Sequence, residues 1–287
     1  MQKISNYIEL IKPRLTALAL FSGSVGYVAA VKGGAPIPWL SVMHLTIALG
    51  FVGAASNIMN QAMEHKLDIL MDRTAGRPIP TGRVKSIEAR VVSILLLVIG
   101  LVYLQLIFGS LVMSLALFTF LSYVVLYTPM KTKTSLNTIV GAFPGALPTL
   151  TGWVACRGVA DFQGFVVFAI LFIWQLPHFF SIAWIFKDDY QRAGYKMISL
   201  YDKTGRQAVI LIVVGTLALI PVSFMPCLEL VGHTGEIYFI STFVADGMFL
   251  FTALLLIKDR VKYMKMYFYA SIIWLPFVLT LMMLDRK

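Results

Sequence analysis

Asn60, Glu64 and Asp68 recur at every fourth position where an uncharged run ends; residues 37–59 contain no Lys, Arg, Asp or Glu. Four residues of α-helix advance about 40° beyond one full turn, so the three side chains share one stripe. Two carboxylates and an amide so close together call for a cation between them. Mg²⁺ prefers hard oxygen ligands, takes few of them from protein, and fills the rest of its shell with water and phosphate oxygens. Arg73, Arg77, Arg83 and Lys85 follow within a short reach, and "GRPIPTG" at 76–82 has the residues that turn a loop back on itself. Acids that hold a metal next to bases that hold phosphate make a diphosphate site. The same cluster also suits a solvated helix end on the basic side of a membrane, and spacing alone does not separate the two.

A second mixed stretch, residues 184–207, carries Asp188 and Asp189 among Lys187, Arg192, Lys196 and Arg206. This acidic pair has the chemistry to hold a second cation on the same diphosphate. His178 follows Pro177 inside an apolar segment, where proline removes a backbone donor and invites a kink. Its imidazole suits a metal ligand or a hydrogen bond between helices, which the residue alone does not separate. Asn137 stands where a helix cap is expected, with phosphate contact as the other reading. Tyr190 suits an interfacial anchor or a donor at the site. Asp246 lies deep in an apolar segment, where a carboxyl is costly and usually functional.

The elements that must position these groups are membrane helices. Of 287 residues, 59% are hydrophobic and 13% charged, about half the charged share of a soluble domain. Nine segments have the length of a helical span, near 15–31, 38–59, 91–108, 110–127, 136–155, 163–186, 208–226, 238–257 and 266–284. They do not alternate as barrel strands do. One all-α polytopic membrane domain over 1–287 is expected, without a targeting segment. The N-terminus and the loops after the even-numbered spans hold 20 of the 24 Lys and Arg. This asymmetry puts the N-terminus in the cytoplasm and the C-terminus outside. The bases flank spans rather than forming a soluble patch, which argues against nucleic acid as a partner and for membrane lipid. A transporter would line a path through mid-membrane with ionisable groups, whereas these gather at one surface.

Asn60, Glu64, Asp68, Met71, Arg73, Thr74, Arg77 and Pro78 together resemble the first Asp-rich motif of the UbiA-type intramembrane prenyltransferases. "YTPMKTKTSLNTIVGAFPGALPTLTGW" (127–153), "WQLPHFF" (174–180), "KDDYQRAGYKM" (187–197) and "KPR" (12–14) resemble the branch of that family whose acceptor is haem. The resemblance implies a bundle of nine transmembrane helices around a central cavity. It implies transfer of the farnesyl group of farnesyl diphosphate to a vinyl group of haem b, with addition of water, giving haem O and diphosphate. It implies Mg²⁺, as two ions, with Asn60, Glu64 and Asp68 on one and Asp188 with Asp189 on the other. Arg73, Arg77 and Lys131, then Lys12 and Arg14, become the expected diphosphate contacts. His178, Tyr190 and Asn137 become expected contacts of substrate. A prokaryotic plasma membrane, and contact with haem A synthase or the terminal-oxidase assembly machinery, belong to the same expectation. The family motif usually has Asp where this chain has Glu64, which keeps the charge on a longer arm. Gln61 stands where the quinone-modifying branch commonly has Asp, so a quinone or other aromatic acceptor is the alternative.

Overall fold

The computed structural model describes residues 2–202, 204–228, 231–232 and 234–287. Its helices are α1 (Gln2–Ile11), α2 (Pro13–Ala30), α3 (Trp39–Asp68), α4 (Ser86–Phe108), α5 (Ser110–Leu121), α6 (Thr128–Met130), α7 (Asn137–Arg157), α8 (Phe162–Ile185), α9 (Lys187–Arg192), α10 (Ile198–Tyr201), α11 (Arg206–Phe224), α12 (Glu236–Lys258) and α13 (Arg260–Leu284). A π-turn, Ser122–Tyr127, joins α5 to α6. Among the described residues eight helical stretches are long and apolar enough to cross a membrane. The 18-residue α2 falls outside that set yet packs along the length of α7, so the bundle is compatible with the expected nine spans.

The reason α2 tolerates a less apolar sequence is its place inside the bundle. A Cβ on Gly26 would lie 2.0 Å from the Thr149 carbonyl oxygen, and one on Gly152 would lie 1.9 Å from that of Gly23. Small residues on both helices therefore let the two backbones touch, the usual device for helix pairs in lipid. α7 is correspondingly enclosed, with 67% of its apolar window buried against 22% for α4. The outer helices instead present large apolar side chains outward, among them Leu95, Val98 and Leu106 on α4 and Phe243, Met248 and Phe251 on α12. A water-facing surface would not carry so continuous a belt; a lipid-facing one requires it.

Helix bounds depart from the expected spans where polar residues extend a helix beyond its apolar part. α3 runs nine residues past the expected end at 59, so Asn60, Glu64 and Asp68 are all helical. Gly109, at φ +86°, makes the tight reversal between α4 and α5. α8 runs unbroken through Pro177, whose ring is accommodated against Gly215.

Candidate active site

The stripe read from spacing is present and buried. Asn60, Glu64 and Asp68 are 1%, 4% and 0% exposed. Asn60 Nδ2 donates to Glu64 Oε2 at 2.9 Å, the direct mark of four-residue spacing on one face. Both amide hydrogens are used, since Nδ2 also donates to Thr128 Oγ1 at 3.0 Å; Oδ1 accepts from Lys12 Nζ at 3.1 Å and keeps its second lone pair.

Each acid has a basic partner. Arg77 Nη1 lies 2.8 Å from both oxygens of Asp68. Lys131 Nζ donates to Glu64 Oε2 at 3.0 Å and lies 2.8 Å from Oε1. That second contact is an ion pair outside hydrogen-bond direction, so Oε1 is buried without a hydrogen bond. Burial works against the Lys131 charge, but the Glu64 carboxylate and the surrounding tyrosine oxygens outweigh it and hold the ammonium well above its usual range. Lys12 fares differently. Burial, then the positive charges of Arg77 and Lys131, pull it down to about 7. Its backbone is also unusual: with φ 54° it is the one non-glycine residue at positive φ among the described residues. Asn57 and Gln61 hold that α1–α2 junction in place, donating to the carbonyls of Ile11 and Leu10 at 3.1 and 2.6 Å.

The loop after α3 folds back through successive turns. Thr74 Oγ1 donates to the Asp68 carbonyl at 2.8 Å, and Gly82 supplies positive φ at the far turn. Arg83 does not join the site. It pairs with Glu9 at 2.8 Å and donates to the Gly76 carbonyl at 2.6 Å, pinning the loop to α1.

The second acidic stretch meets the first. Arg192 pairs with Asp72 at 2.6 Å and also with Asp189, so carboxylates from both loops share one guanidinium. Asp188 is exposed at the start of α9. Arg73 lies 4.5 Å over the Phe186 ring and donates to Tyr190 Oη at 3.4 Å. Lys196 N donates to the Lys131 carbonyl at 2.6 Å. Asn137, expected as a cap, does not cap: it is the first helical residue, and Nδ2 donates to the carbonyls of Thr134 and Lys196 at 2.6 and 2.9 Å. It ties the basic turn to the second loop. Arg14 is exposed on α2.

Thr128 and Tyr123 escaped the sequence reading because of the π-turn. The Thr128 N–H reaches Tyr123 O, five residues back, and its hydroxyl donates to the same carbonyl at 2.9 Å. The wide turn delivers Thr128 to Asn60 and Lys131 to Glu64, while Tyr123 and Tyr127 line the cavity beside them. That cavity, of about 290 Å³, starts at Asn57, one turn from Asn60, and runs between α2, α3, α5, α7, α8 and α13. Its lining is mainly apolar, with Thr16, Asn57, Gln175 and His178 among its polar points. His178 lines the cavity, and its Nδ1 is 2.7 Å from Ser271 Oγ on α13, a contact between helices. Asp246 is buried away from this cavity, accepting from Ser223 Oγ at 2.6 Å and Trp274 Nε1 at 2.8 Å.

The donors on the α3 stripe suit a hard divalent cation. All are oxygens, two are carboxylates, and one of their oxygens lacks a hydrogen bond. No group of three or more His, Cys, Asp or Glu able to hold a metal occurs among the described residues. An ion here therefore needs further oxygens from a ligand, as Mg²⁺ on a diphosphate has.

The profile of the UbiA prenyltransferase family matches residues 19–279. The chain is 38% identical to the protoheme IX farnesyltransferase of Solibacter usitatus, over 98% of each chain. It is 35% identical to that of Koribacter versatilis, over 99% of this chain and 94% of the relative. Among solved structures it resembles a digeranylgeranylglyceryl phosphate synthase, with TM-score 0.80, 20% identity and 99% of both chains covered. It also resembles a UbiA homologue from Archaeoglobus fulgidus bound to DMAPP and Mg²⁺, with TM-score 0.70, 16% identity, and 96% and 99% covered. At those identities the structures speak for the fold.

Proposed function

The chain belongs to the UbiA prenyltransferase family, and from that premise we propose how its buried carboxylate stripe and adjoining cavity perform the transfer. The protein is a multi-pass membrane prenyltransferase, and the reaction is that of the protoheme IX farnesyltransferases it resembles: a farnesyl group passes from farnesyl diphosphate to haem b. The observation that carries this reading is the stripe itself, ringed by Lys12, Arg77 and Lys131 and one turn from an apolar cavity with His178 in its wall.

We assign Asn60, Glu64 and Asp68 to one Mg²⁺. Asp189 and Asp72, which share Arg192, are assigned to a second, with Asp188 beside them at the exposed rim. When bound, the metal supplies positive charge to the diphosphate oxygens. Arg77, Lys131 and Lys12 stand ready to donate to the same oxygens, with Arg73 at the outer edge and Arg14 further out. A diphosphate beside Lys12 favours its charged form. Tyr190 holds Arg73, and Asn137 holds the turn that carries Lys131.

Cleavage of the allylic C–O bond leaves its electron pair on diphosphate and a cation on the farnesyl chain. Preorganised positive groups at the site stabilise the departing charge. The vinyl π electrons of haem then bond to the farnesyl carbon, and the cation passes to the carbon next to the porphyrin ring. Water adds there and loses a proton, leaving the hydroxyl of haem O. The apolar cavity wall keeps water from quenching the first cation too early. We place the domain, residues 1–287, in a prokaryotic plasma membrane with its N-terminus cytoplasmic. So apolar a product favours direct transfer to haem A synthase or the terminal-oxidase assembly machinery.

Purified enzyme given farnesyl diphosphate, haem b and Mg²⁺ is expected to yield a haem of longer chromatographic retention and equimolar diphosphate. Farnesylation of a quinone, with haem b returned unchanged, would overturn the acceptor assignment.

A further inference from the structure

His178 sits between two flat rings. Trp174 stacks on it at 4.7 Å and 16°, and Phe268 at 5.3 Å and 18°. The imidazole is thus a clamped plate that presents only its edges. One edge, Nδ1, meets Ser271 Oγ at 2.7 Å. A hydroxyl has a single hydrogen to give, and Ser271 Oγ also lies 2.6 Å from the Phe268 carbonyl, which can only accept. With the hydrogen given to that carbonyl, the hydroxyl oxygen has lone pairs left for His178, and on this assignment the ring is the donor. Nδ1 carries the proton and Nε2 carries the lone pair. Trp174 Nε1 donates to the Ser271 carbonyl at 2.9 Å, so one residue of α13 anchors both the ring and its stacking partner. Since Nδ1 is spoken for and both faces are covered, Nε2 is the edge left for the cavity that His178 lines.

We propose that Ser271 is a positioning residue for haem: it fixes His178 in the tautomer and orientation that offer Nε2 to the haem iron. This rests on the haem-acceptor reading above and deepens it. An imidazole whose far nitrogen donates to a fixed acceptor is the arrangement that orients ligating histidines and raises their basicity. Iron held at one point in the wall leaves the porphyrin rim, with its vinyl groups, free to reach toward the α3 stripe.

The test uses purified full-length protein in detergent, titrated with haem b, with farnesyl diphosphate binding as the check that each variant is folded. Wild type is expected to show an iron–histidine stretching band in the ferrous state, absent in His178→Ala. Ser271→Ala is expected to shift that band to lower frequency and weaken haem binding by roughly tenfold to a hundredfold, the usual span for losing such a partner, with farnesyl diphosphate binding unchanged. An unshifted band with unchanged affinity in Ser271→Ala overturns the proposal. Wild type that farnesylates haem without any iron–histidine band overturns iron ligation and leaves the acceptor reading standing. Wild type that does not farnesylate haem overturns both.

Discussion

Replacing Asp68 by Asn separates what that carboxylate does for the fold from what it does for chemistry. The side chains keep the same shape, and only the charge is lost. Arg77 lies 2.8 Å from each oxygen, with side-chain exposures of 23% for Arg77 and 1% for Asp68. At an effective dielectric near 20, that separation corresponds to a bare attraction of roughly 6 kcal/mol. Breaking a fully buried pair costs about 3–5 kcal/mol, and the partial exposure of Arg77 reduces this to about 2–3 kcal/mol in stability. Equilibrium unfolding in mixed micelles reads that loss. Farnesyl transfer should fall at least about a hundredfold in kcat/KM, equivalent to about 2.7 kcal/mol of transition-state stabilisation. The decisive comparison is a cycle with Arg77→Met. In that background Asp68→Asn should no longer cost stability, because the pair is already broken, yet it should still cost activity. If the double variant is as active as Arg77→Met alone, Asp68 serves only to hold the arginine, and the metal assignment is refuted.

Four further outcomes follow from the same geometry. Lys131→Met leaves Glu64 buried without its counter-charge and should lower stability by about 2–4 kcal/mol, measured by unfolding in micelles. Gly152→Ala forces a methyl group onto the Gly23 carbonyl, and the α2–α7 crossing should lose at least about 1–3 kcal/mol, read as a lower thermal midpoint in detergent. Asp202 accepts the N–H groups of Gly205 and Ala208 at 2.9 and 3.1 Å at the head of α11. Burial acts to raise its pKa, but those bonds and the Thr204 hydroxyl outweigh it and hold it below 3.8. Because its folded value is depressed, its stabilisation is present above the unfolded value and disappears as pH falls through the folded one. Asp202→Ala should therefore cost about 0.5–2 kcal/mol at neutral pH and almost nothing below that range. Chelating Mg²⁺ should abolish diphosphate release in wild type, and added Mg²⁺ should restore it, measured by phosphate detection after pyrophosphatase treatment.

Regular periodicity made the α3 stripe legible. Asn60, Glu64 and Asp68 repeat with the helix, and the contact of Asn60 with Glu64 follows from that repeat alone. A neighbouring stripe has the same four-residue interval, Asn57 and Gln61, whose amides brace the chain around Lys12. The rest depended on events with no local period. Lys12 reaches the centre of the site through a left-handed backbone before a proline, and nothing in the residue type announces it. Arg83 looked as available as Arg77, and only the fold sends one to α1 and the other to Asp68. Ser271 is one small hydroxyl in an apolar helix, 93 residues from the histidine it meets. Asn137 looked like a cap because it opens a helix, but tertiary contact with Lys196 claimed its amide.

The π-turn at Ser122–Tyr127 carries an evolutionary and engineering consequence. Such a turn holds one residue more than its α-helical counterpart. Substitutions that pull the segment into ordinary helix with no residue removed, Val125→Ala for instance, should by propensity alone favour the more regular turn. The residue that the wide turn absorbs would then count as one more helical step, and everything downstream would rotate by about 100°, carrying Thr128 and Lys131 off the face that meets α3. An optimiser that scored helix regularity would select such changes and obtain a sturdier, inert protein.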